Sequence, residues 1–257
     1  RLSRGRVDRL GYFTEVGIET QEVPGSPDQV DLVISVAEKP TGSLQLGAGF
    51  SSAEKVSLSF AVKQENVFGS GNYLGVDVNT SKYRRTLVFS TTNPYFTQDG
   101  ISRTLDLYYR TDKPYEDQGG NYQLVTTGAS MRFGVPFSET DTVFFGGGIE
   151  QTKIKPGTNI PAAYLAYADT YGFSSSSIPL TIGWSRDDRD SALAPNSGRY
   201  QRLNSEWSVA GDARYLRANY QYQQYIPLNK RFTVAFNGEL GYGKGMNGRP
   251  FPVFKNF

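Results

Sequence analysis

Asp187, Asp188, Arg189 and Asp190 form a group of side chains whose types could do chemistry. Neighbouring carboxylates can ligate a hard metal ion or act as a general acid/base pair. Here charges of both signs are interleaved, and Pro195 and Gly198 follow, as is typical of a turn. We therefore expect an ion-paired, solvated turn rather than a metal or acid/base site.

Other chemistry is limited by missing residue types, because the 257 residues include neither His nor Cys. Without His there is no Ser-His-Asp triad, imidazole base or imidazole metal ligand. Without Cys there is no disulfide, thiol nucleophile, zinc-thiolate site or iron–sulfur cluster. We expect a protein that is not an enzyme, although a site made only of carboxylates remains an alternative that no segment localises.

The overall charge and hydropathy limit the partners. Lys and Arg number 27 against 25 Asp and Glu, and a net charge of +2 argues against nucleic acid as a partner. The mean hydropathy of −0.46 is that of a soluble protein, but strands that alternate apolar and polar residues also average out polar. The chain starts at Arg1 without a visible leader peptide, and we expect either a segment of a longer protein or a mature segment.

From Thr41 onward, apolar and polar residues alternate with a period of two, most clearly over Lys55–Lys63. The pattern predicts about eleven strands of roughly 9–14 residues, whereas strands of soluble sandwiches average about 5–6. A tilted membrane-spanning strand needs about 9–11 residues. The fold class predicted is mainly β, an antiparallel transmembrane β-barrel; the alternative is a soluble sandwich whose apolar face is its core.

The two faces of the predicted strands and their connections agree with a barrel. The polar face carries Lys, Arg, Asp, Glu and Gln, which suits a wet lumen. The connections are compact on one side and longer on the other, as periplasmic turns and extracellular loops are. The longest is Ile154–Ser177, and its Pro161–Tyr171 part is predicted to form a short helix. The apolar face carries aromatic residues near strand ends, as interfacial girdles do: Tyr109, Phe133, Trp184, Trp207, Phe232 and Tyr242.

Residues 1–40 follow a different pattern. Arg1–Leu10 is basic and amphipathic, and Gly11 is a natural helix stop. Two predicted strands follow, Tyr12–Val23 and Gln29–Lys39, separated by a Pro- and Gly-rich turn. Such a piece is too short to fold alone and is typical of the end of a small α/β module.

Six segments, in this order along the chain, resemble segments of one known family: RLGYFTEV (Arg9–Val16), VDLVISVAEKPTGSLQLGAGFSS (Val30–Ser52), QENVFGSGNYLGVDVN (Gln64–Asn79), TTNPYFTQDG (Thr91–Gly100), DDRDSALAPNSGRY (Asp187–Tyr200) and PFPVFKNF (Pro250–Phe257). This ordered set resembles the BamA family of outer-membrane protein assembly factors. In that family, polypeptide-transport-associated (POTRA) domains precede a sixteen-stranded barrel.

The resemblance implies the domains, location and partners. Residues 1–40 would be the C-terminal part of the last POTRA domain, in the periplasm, and residues 41–257 strands one to eleven of the barrel. The protein would insert and fold β-barrel proteins into the Gram-negative outer membrane, without a cofactor or metal. Its partners would be unfolded outer-membrane proteins, outer-membrane lipids and the accessory lipoproteins of an assembly complex.

The resemblance also implies site residues. In the family, strand one (here Gly42–Ser52) forms a lateral seam with the last strand, and its candidate residues are Gly42, Leu44, Leu46, Gly47, Gly49 and Phe50. The glycines either weaken this seam or relieve crowding in a bent strand. A periplasmic turn motif is carried by Asn93, Pro94, Tyr95 and Phe96, either as a structural turn or as a partner contact. The POTRA motif is carried by Leu10, Gly11, Tyr12, Phe13 and Val16.

Two rival functions share the barrel. A passive porin would match the strands but not residues 1–40. Related POTRA-barrel translocation and secretion transporters would match both parts, and the number of upstream POTRA domains would separate them.

Overall fold

The computed structural model describes residues 12–23, 25, 29–52, 55–113, 121–138, 140–191, 195–229 and 232–255. These residues form two separate antiparallel sheets, one of two strands and one of eleven. No helix among them is long and apolar enough to cross a membrane.

The small sheet contains β1 (Phe13–Glu22) and β2 (Val30–Glu38). The two strands are antiparallel, and Val16 lies opposite Val36. Both strands were predicted from the sequence, and the structure confirms them. The assignment of residues 1–40 to a POTRA domain and of residues 41–257 to a partial barrel stays a prediction.

The large sheet joins every strand to its neighbour in the chain, in the order β13 to β3, so that β3 and β13 are its edges. This confirms the predicted fold class and the eleven strands. The bounds are β3 Gly42–Ser51, β4 Lys55–Gln64, β5 Tyr73–Thr80, β6 Arg84–Asn93, β7 Ser102–Asp112, β8 Asn121–Pro136, β9 Asp141–Asn159, β10 Ser174–Asp187, β11 Gly198–Gly211, β12 Tyr215–Pro227 and β13 Thr233–Gly245.

The predicted strand lengths and the bounds of the longest connection were wrong at one hairpin. β8 has 16 residues and β9 has 19, because their ladder continues until Asn121 lies opposite Asn159. The connection from β9 to β10 is therefore shorter than the predicted Ile154–Ser177. Its predicted short helix is confirmed as α1, Ala162–Tyr171.

The outward face of the large sheet is apolar and exposed. Leu46, Phe50 and Leu240 keep 73%, 78% and 73% of their surface accessible. A soluble sandwich would cover such a face with a second sheet, and no described residue does so here. Apolar residues of one parity that face outward along ten-residue strands are typical of a membrane barrel. The sandwich alternative is therefore rejected.

The opposite, lumenal face is packed near the longer connections. Ile154 of β9 is buried against Tyr167 and Ala168 of α1. Val253 and Phe254, which follow β13, pack against the same cluster. The helix and the segment after β13 thus form a core inside the sheet rather than outside it.

A tight turn joins β11 to β12 at the same end. Gly211 has φ +96°, and the backbone N–H groups of Asp212 and Ala213 both donate to the carbonyl oxygen of Ser176, at 2.8 and 3.0 Å. A Cβ on Gly211 would lie 2.6 Å from that oxygen. Both the backbone conformation and the close approach require glycine here.

We predict that Gly211→Ala lowers the free energy of unfolding of the full-length protein by at least ~2 kcal/mol, since the left-handed conformation alone costs a non-glycine residue about 1–2 kcal/mol. Gly248→Ala is the matched control, because Gly248 has φ +75° but no atom within 4 Å of an added Cβ. Urea unfolding in detergent, followed by tryptophan fluorescence, measures both. Equal losses in the two variants would contradict the close approach at Gly211.

Candidate functional site

The predicted seam strand is β3, and it forms one edge of the large sheet. All ten of its residues are exposed, and its one partner among the described residues is β4. Its sequence, GSLQLGAGFS, has no Asp, Glu, Lys or Arg, whereas each of the other ten strands has at least one. Charged side chains are a common protection of sheet edges against pairing. β3 is thus an edge without that protection.

The two faces of β3 differ in bulk. Leu44, Leu46 and Phe50 point outward and are 63%, 73% and 78% exposed. The lumenal face instead has Gly47 and Gly49, opposite Ser59 and Ser57 of β4.

The glycines of β3 lie close to β4 side chains. A Cβ on Gly49 would come within 2.8 Å of the Ser57 hydroxyl, and one on Gly47 would meet the Ser59 hydroxyl. A Cβ on Gly42 would come within 2.5 Å of the Gln64 side chain. These neighbours are ends of side chains that can rotate, so glycine relieves crowding without being obligatory. The role of these residues in a seam stays a prediction.

The turn motif ends β6 and starts the connection to β7. The side-chain oxygen of Asn93 accepts a hydrogen bond from the Tyr95 N–H at 3.0 Å, an arrangement that caps a turn. The Phe96 N–H donates to the carbonyl of Ile101 at 2.9 Å, after Pro94 has ended the strand ladder. This geometry favours the structural role of the motif.

The side chains of the motif differ in what they touch. The Phe96 ring lies 5.8 Å from that of Phe133, and the guanidinium of Arg103 lies 4.5 Å above it. Tyr95 is 59% exposed. Phe96 therefore packs the turn against β7 and β8, while the Tyr95 side chain is exposed.

The POTRA motif is partly described. Leu10 and Gly11 lie outside the described residues. Phe13 starts β1 and stacks edge-on against Tyr12, and Val16 is buried at 3% exposure. The Tyr12 hydroxyl donates to the carbonyl of Gly71 at 3.0 Å, in the connection between β4 and β5. Burial and the Glu65 carboxylate raise the pKa of Tyr12, which keeps its hydroxyl a donor. This bond links the small sheet to the base of the large one.

The acidic turn of residues 187–190 is ion-paired, as predicted. Arg189 bonds to Asp187 through two nitrogens at 2.7 and 2.8 Å, and Arg199 bonds to Asp188 at 3.0 Å. Burial alone would raise the pKa of Asp188, but hydrogen bonds from the Arg199 backbone and guanidinium hold it below its ordinary value.

Asp190 completes this turn. The backbone N–H groups of Ser197 and Asn196 donate to its carboxylate and hold its pKa below the ordinary value. Among the described residues, no group of three acidic side chains has the geometry to hold a metal ion.

The lumen contains a charged cluster that the sequence prediction missed. Lys255 contacts both Glu150 of β9 and Glu206 of β11. A signal for it is present in the sequence. Glu150 and Glu206 fall at lumenal positions beside the outward Ile149 and Trp207, and Lys255 is the single charge in the apolar stretch Phe251–Phe257. Next to this cluster, a cavity of about 270 Å³ is lined by Glu206 and by polar side chains that include Arg132, Arg202, Arg217 and Asn219.

Comparison with known proteins gives a consistent result. Residues 66–257 match the Omp85 superfamily domain. The chain is 34% identical over 267 residues to the outer membrane protein assembly factor BamA of Neisseria meningitidis serogroup B, covering 99% of this chain and 34% of that protein. It is 27% identical over 263 residues to BamA of Nitratidesulfovibrio vulgaris, covering 100% of this chain and 32% of that protein.

Two solved structures share the fold. A crystal structure of BamA from Haemophilus ducreyi lacking POTRA domains 1–3 matches with a TM-score of 0.80 at 24% identity, covering 100% of this chain and 51% of that one. CdiB from Acinetobacter baumannii matches with a TM-score of 0.54 at 11% identity, covering 91% and 46%. The chain spans about a third of the length of the curated relatives it matches. These relatives confirm the outer-membrane location that the sequence predicts.

We predict that Phe96→Ala lowers the free energy of unfolding of the full-length protein by about 1 kcal/mol, because an aromatic pair contributes about 0.5–1.5 kcal/mol beyond its buried area. Tyr95→Ala, the matched control on the same turn, should change it by less than about 0.5 kcal/mol. Urea unfolding of the two variants measures both values. A loss in Tyr95→Ala as large as that in Phe96→Ala would show that the exposed ring, too, is structural.

Proposed function

The chain belongs to the Omp85 superfamily, and we propose that it acts in the insertion and folding of other β-barrel proteins into the outer membrane. The observation that carries the proposal is the 34% identity, over 99% of the chain, to a relative named as an outer membrane protein assembly factor. The geometry of β3 supports it physically, because an uncharged, exposed edge strand is what an assembly template needs.

The free edge of β3 would act through its backbone. In hydrocarbon an unpaired N–H or C=O costs several kcal/mol, since no water satisfies it. An incoming strand that pairs with the edge satisfies the groups of both strands at once. The absence of charge on β3 removes the usual barrier to such pairing.

The side chains of β3 would set the orientation of the incoming strand. Leu44, Leu46 and Phe50 face outward, toward lipid. A cargo strand that alternates apolar and polar residues would pair in the register that continues this apolar face, because a slip of one residue turns every side chain to the wrong side. Gly47 and Gly49 place no side chain on the lumenal side of the edge.

Residues 1–40 would lie in the periplasm as the end of a POTRA domain, with Leu10, Gly11, Tyr12, Phe13 and Val16 as its motif. The bond from Tyr12 to Gly71 supports a fixed junction between this part and the base of the barrel. Unfolded outer-membrane proteins, outer-membrane lipids and accessory lipoproteins are the partners that this arrangement would take.

A disulfide between β3 and the last strand of the full-length protein should block assembly, because it closes the edge that the cargo strand must reach. The 257 residues contain no Cys, so β3 carries no thiol except the engineered one. The measurement is the folding rate of an added barrel protein in liposomes, with and without reductant. We expect a loss of at least about tenfold that reductant reverses.

The matched control is a disulfide between Ala48 and Leu58, which lie directly opposite each other in β3 and β4. It cross-links the same strand and leaves the edge open, so assembly should continue. Full activity of the locked seam would overturn the edge mechanism.

A second measurement separates assembly from transport. Liposomes that contain the full-length protein should accelerate the folding of an added barrel protein and should conduct small solutes weakly. Strong solute conduction without acceleration would identify a porin. Export of one dedicated substrate without acceleration would identify a transporter of the same superfamily.

A further inference from the structure

The segment that follows β13 turns back into the barrel. The N–H of Arg249 donates to the carbonyl of Met246 at 3.1 Å, closing a turn after the strand ends at Gly245. Phe251 then packs edge-on against Tyr215 of β12, and Pro252 is fully buried. The segment ends in a short 3-10 helix, Val253–Lys255.

Contacts with α1 hold this segment from the other side. The Tyr164 hydroxyl donates to the carbonyl of Val253 at 3.3 Å, and the Tyr167 ring packs edge-on against Phe254. The segment has two charged side chains, Arg249, whose guanidinium lies 5.6 Å from the centre of the Tyr171 ring of α1, and Lys255.

The ammonium group of Lys255 lies beside two acidic side chains of the barrel wall. Its Nζ lies 2.8 Å from Oε1 of Glu150 and 3.2 Å from Oε1 of Glu206. The side chains of Lys255 and Glu150 are 12% and 10% exposed, and that of Glu206 is 29% exposed. Two carboxylates therefore share one ammonium in a mostly dry environment.

Tyrosines complete the cluster. The hydroxyl of Tyr108 on β7 donates to Oε2 of Glu150 at 2.9 Å, and that of Tyr215 donates to Glu206. Each carboxylate thus has one neutral donor and one shared cation. Arg217 of β12 lies opposite Glu206, but Lys255 is the cation that the two carboxylates share. Without Lys255, Glu150 and Glu206 would lose the charge between them in a place with little water, an arrangement that proteins avoid.

The position of the cluster explains why a long side chain is needed. Glu150 and Glu206 lie on β9 and β11, which are both paired with β10 and not with each other. Lumenal residues of β10 at this level are small, among them Ser177 and Thr181, opposite Glu150 and Glu206 respectively. The ammonium crosses above β10 and joins the strands on either side.

We propose that Lys255 is a positioning residue: its ion pairs with Glu150 and Glu206 fasten the segment 246–255 to the lumenal wall and fix where the chain continues inside the barrel. This inference concerns the resting structure and does not depend on the proposed assembly function. Because these contacts are ion pairs, another cation of similar reach should replace Lys255, whereas an apolar side chain of similar length should not.

The experiment measures access to the segment in the full-length protein. Val253→Cys provides a single thiol within residues 1–257, which is then labelled by a bulky, membrane-impermeant maleimide in liposomes. With Lys255 present, labelling should be slow. In Lys255→Met it should be at least about tenfold faster, since breaking a buried ion pair strongly favours the open segment. Lys255→Arg should keep labelling slow.

The control variants distinguish loss of the Lys255 ion pairs from a general loosening of the barrel. Asn247 is already exposed in the turn at the start of the segment, so the labelling rate of Asn247→Cys should be the same with and without the Lys255→Met substitution. The exchange E206K/K255E keeps the net charge of the cluster and should restore slow labelling at least in part. If Lys255 acted only by packing, the exchange would not restore slow labelling. If Lys255→Met fails to fold, the double variant Glu206→Gln with Glu150→Gln removes the same ion pairs by changing the residues of the barrel wall. Labelling of Val253→Cys that stays slow in Lys255→Met, or in the double glutamine variant where Lys255→Met does not fold, would overturn the proposal.

Discussion

Everything in this structure depends on the need to pair backbone groups in a medium without water. A strand in the hydrocarbon region satisfies its N–H and C=O groups only by pairing on both sides. β4 to β12 do so with their neighbours in the chain, so their stability requires no further partner. β3 and β13, the two edge strands, each have one such neighbour among the described residues. In the proposed function the free edge of β3 is the group that acts, and it requires neither His nor Cys.

The packing on the lumenal face of the large sheet is concentrated away from β3. α1 and the segment 246–255 pack on the lumenal face, and their contacts reach β9, β11 and β12. β3 is exposed along its whole length, and Gly47 and Gly49 lie on its lumenal side. Local stability follows the density of packed contacts. In the proposed function, opening at β3 would therefore leave the contacts of α1 and of the segment 246–255 with β9, β11 and β12 in place.

The fold could be predicted from the sequence because a membrane strand is a local pattern. Alternation over Lys55–Lys63 and its counterparts fixes the strands, and the turn residues between them fix their antiparallel order. The bounds of the β9 to β10 connection were predicted less well. Ile154 looks like the start of a loop by its neighbours, yet the ladder with β8 extends to Asn159. Pairing between strands decides where each ends, and a single-strand pattern does not contain that information.

The parts of the candidate site likewise differ in whether a local sequence pattern predicts them. The edge strand and the turn at Asn93 are each continuous in sequence, so the resemblance of these segments to one family was enough to propose them. The cluster of Lys255 with Glu150 and Glu206 joins residues of three separate elements that are distant in the sequence. Parity alone shows that the two glutamates face inward, but not that they converge. That convergence requires the order of the strands and the return of the chain after β13, which places one cation beside two carboxylates on strands that no ladder joins. A charge isolated in an apolar stretch that follows a strand is therefore a reason to look for its counter-ions on the inner wall.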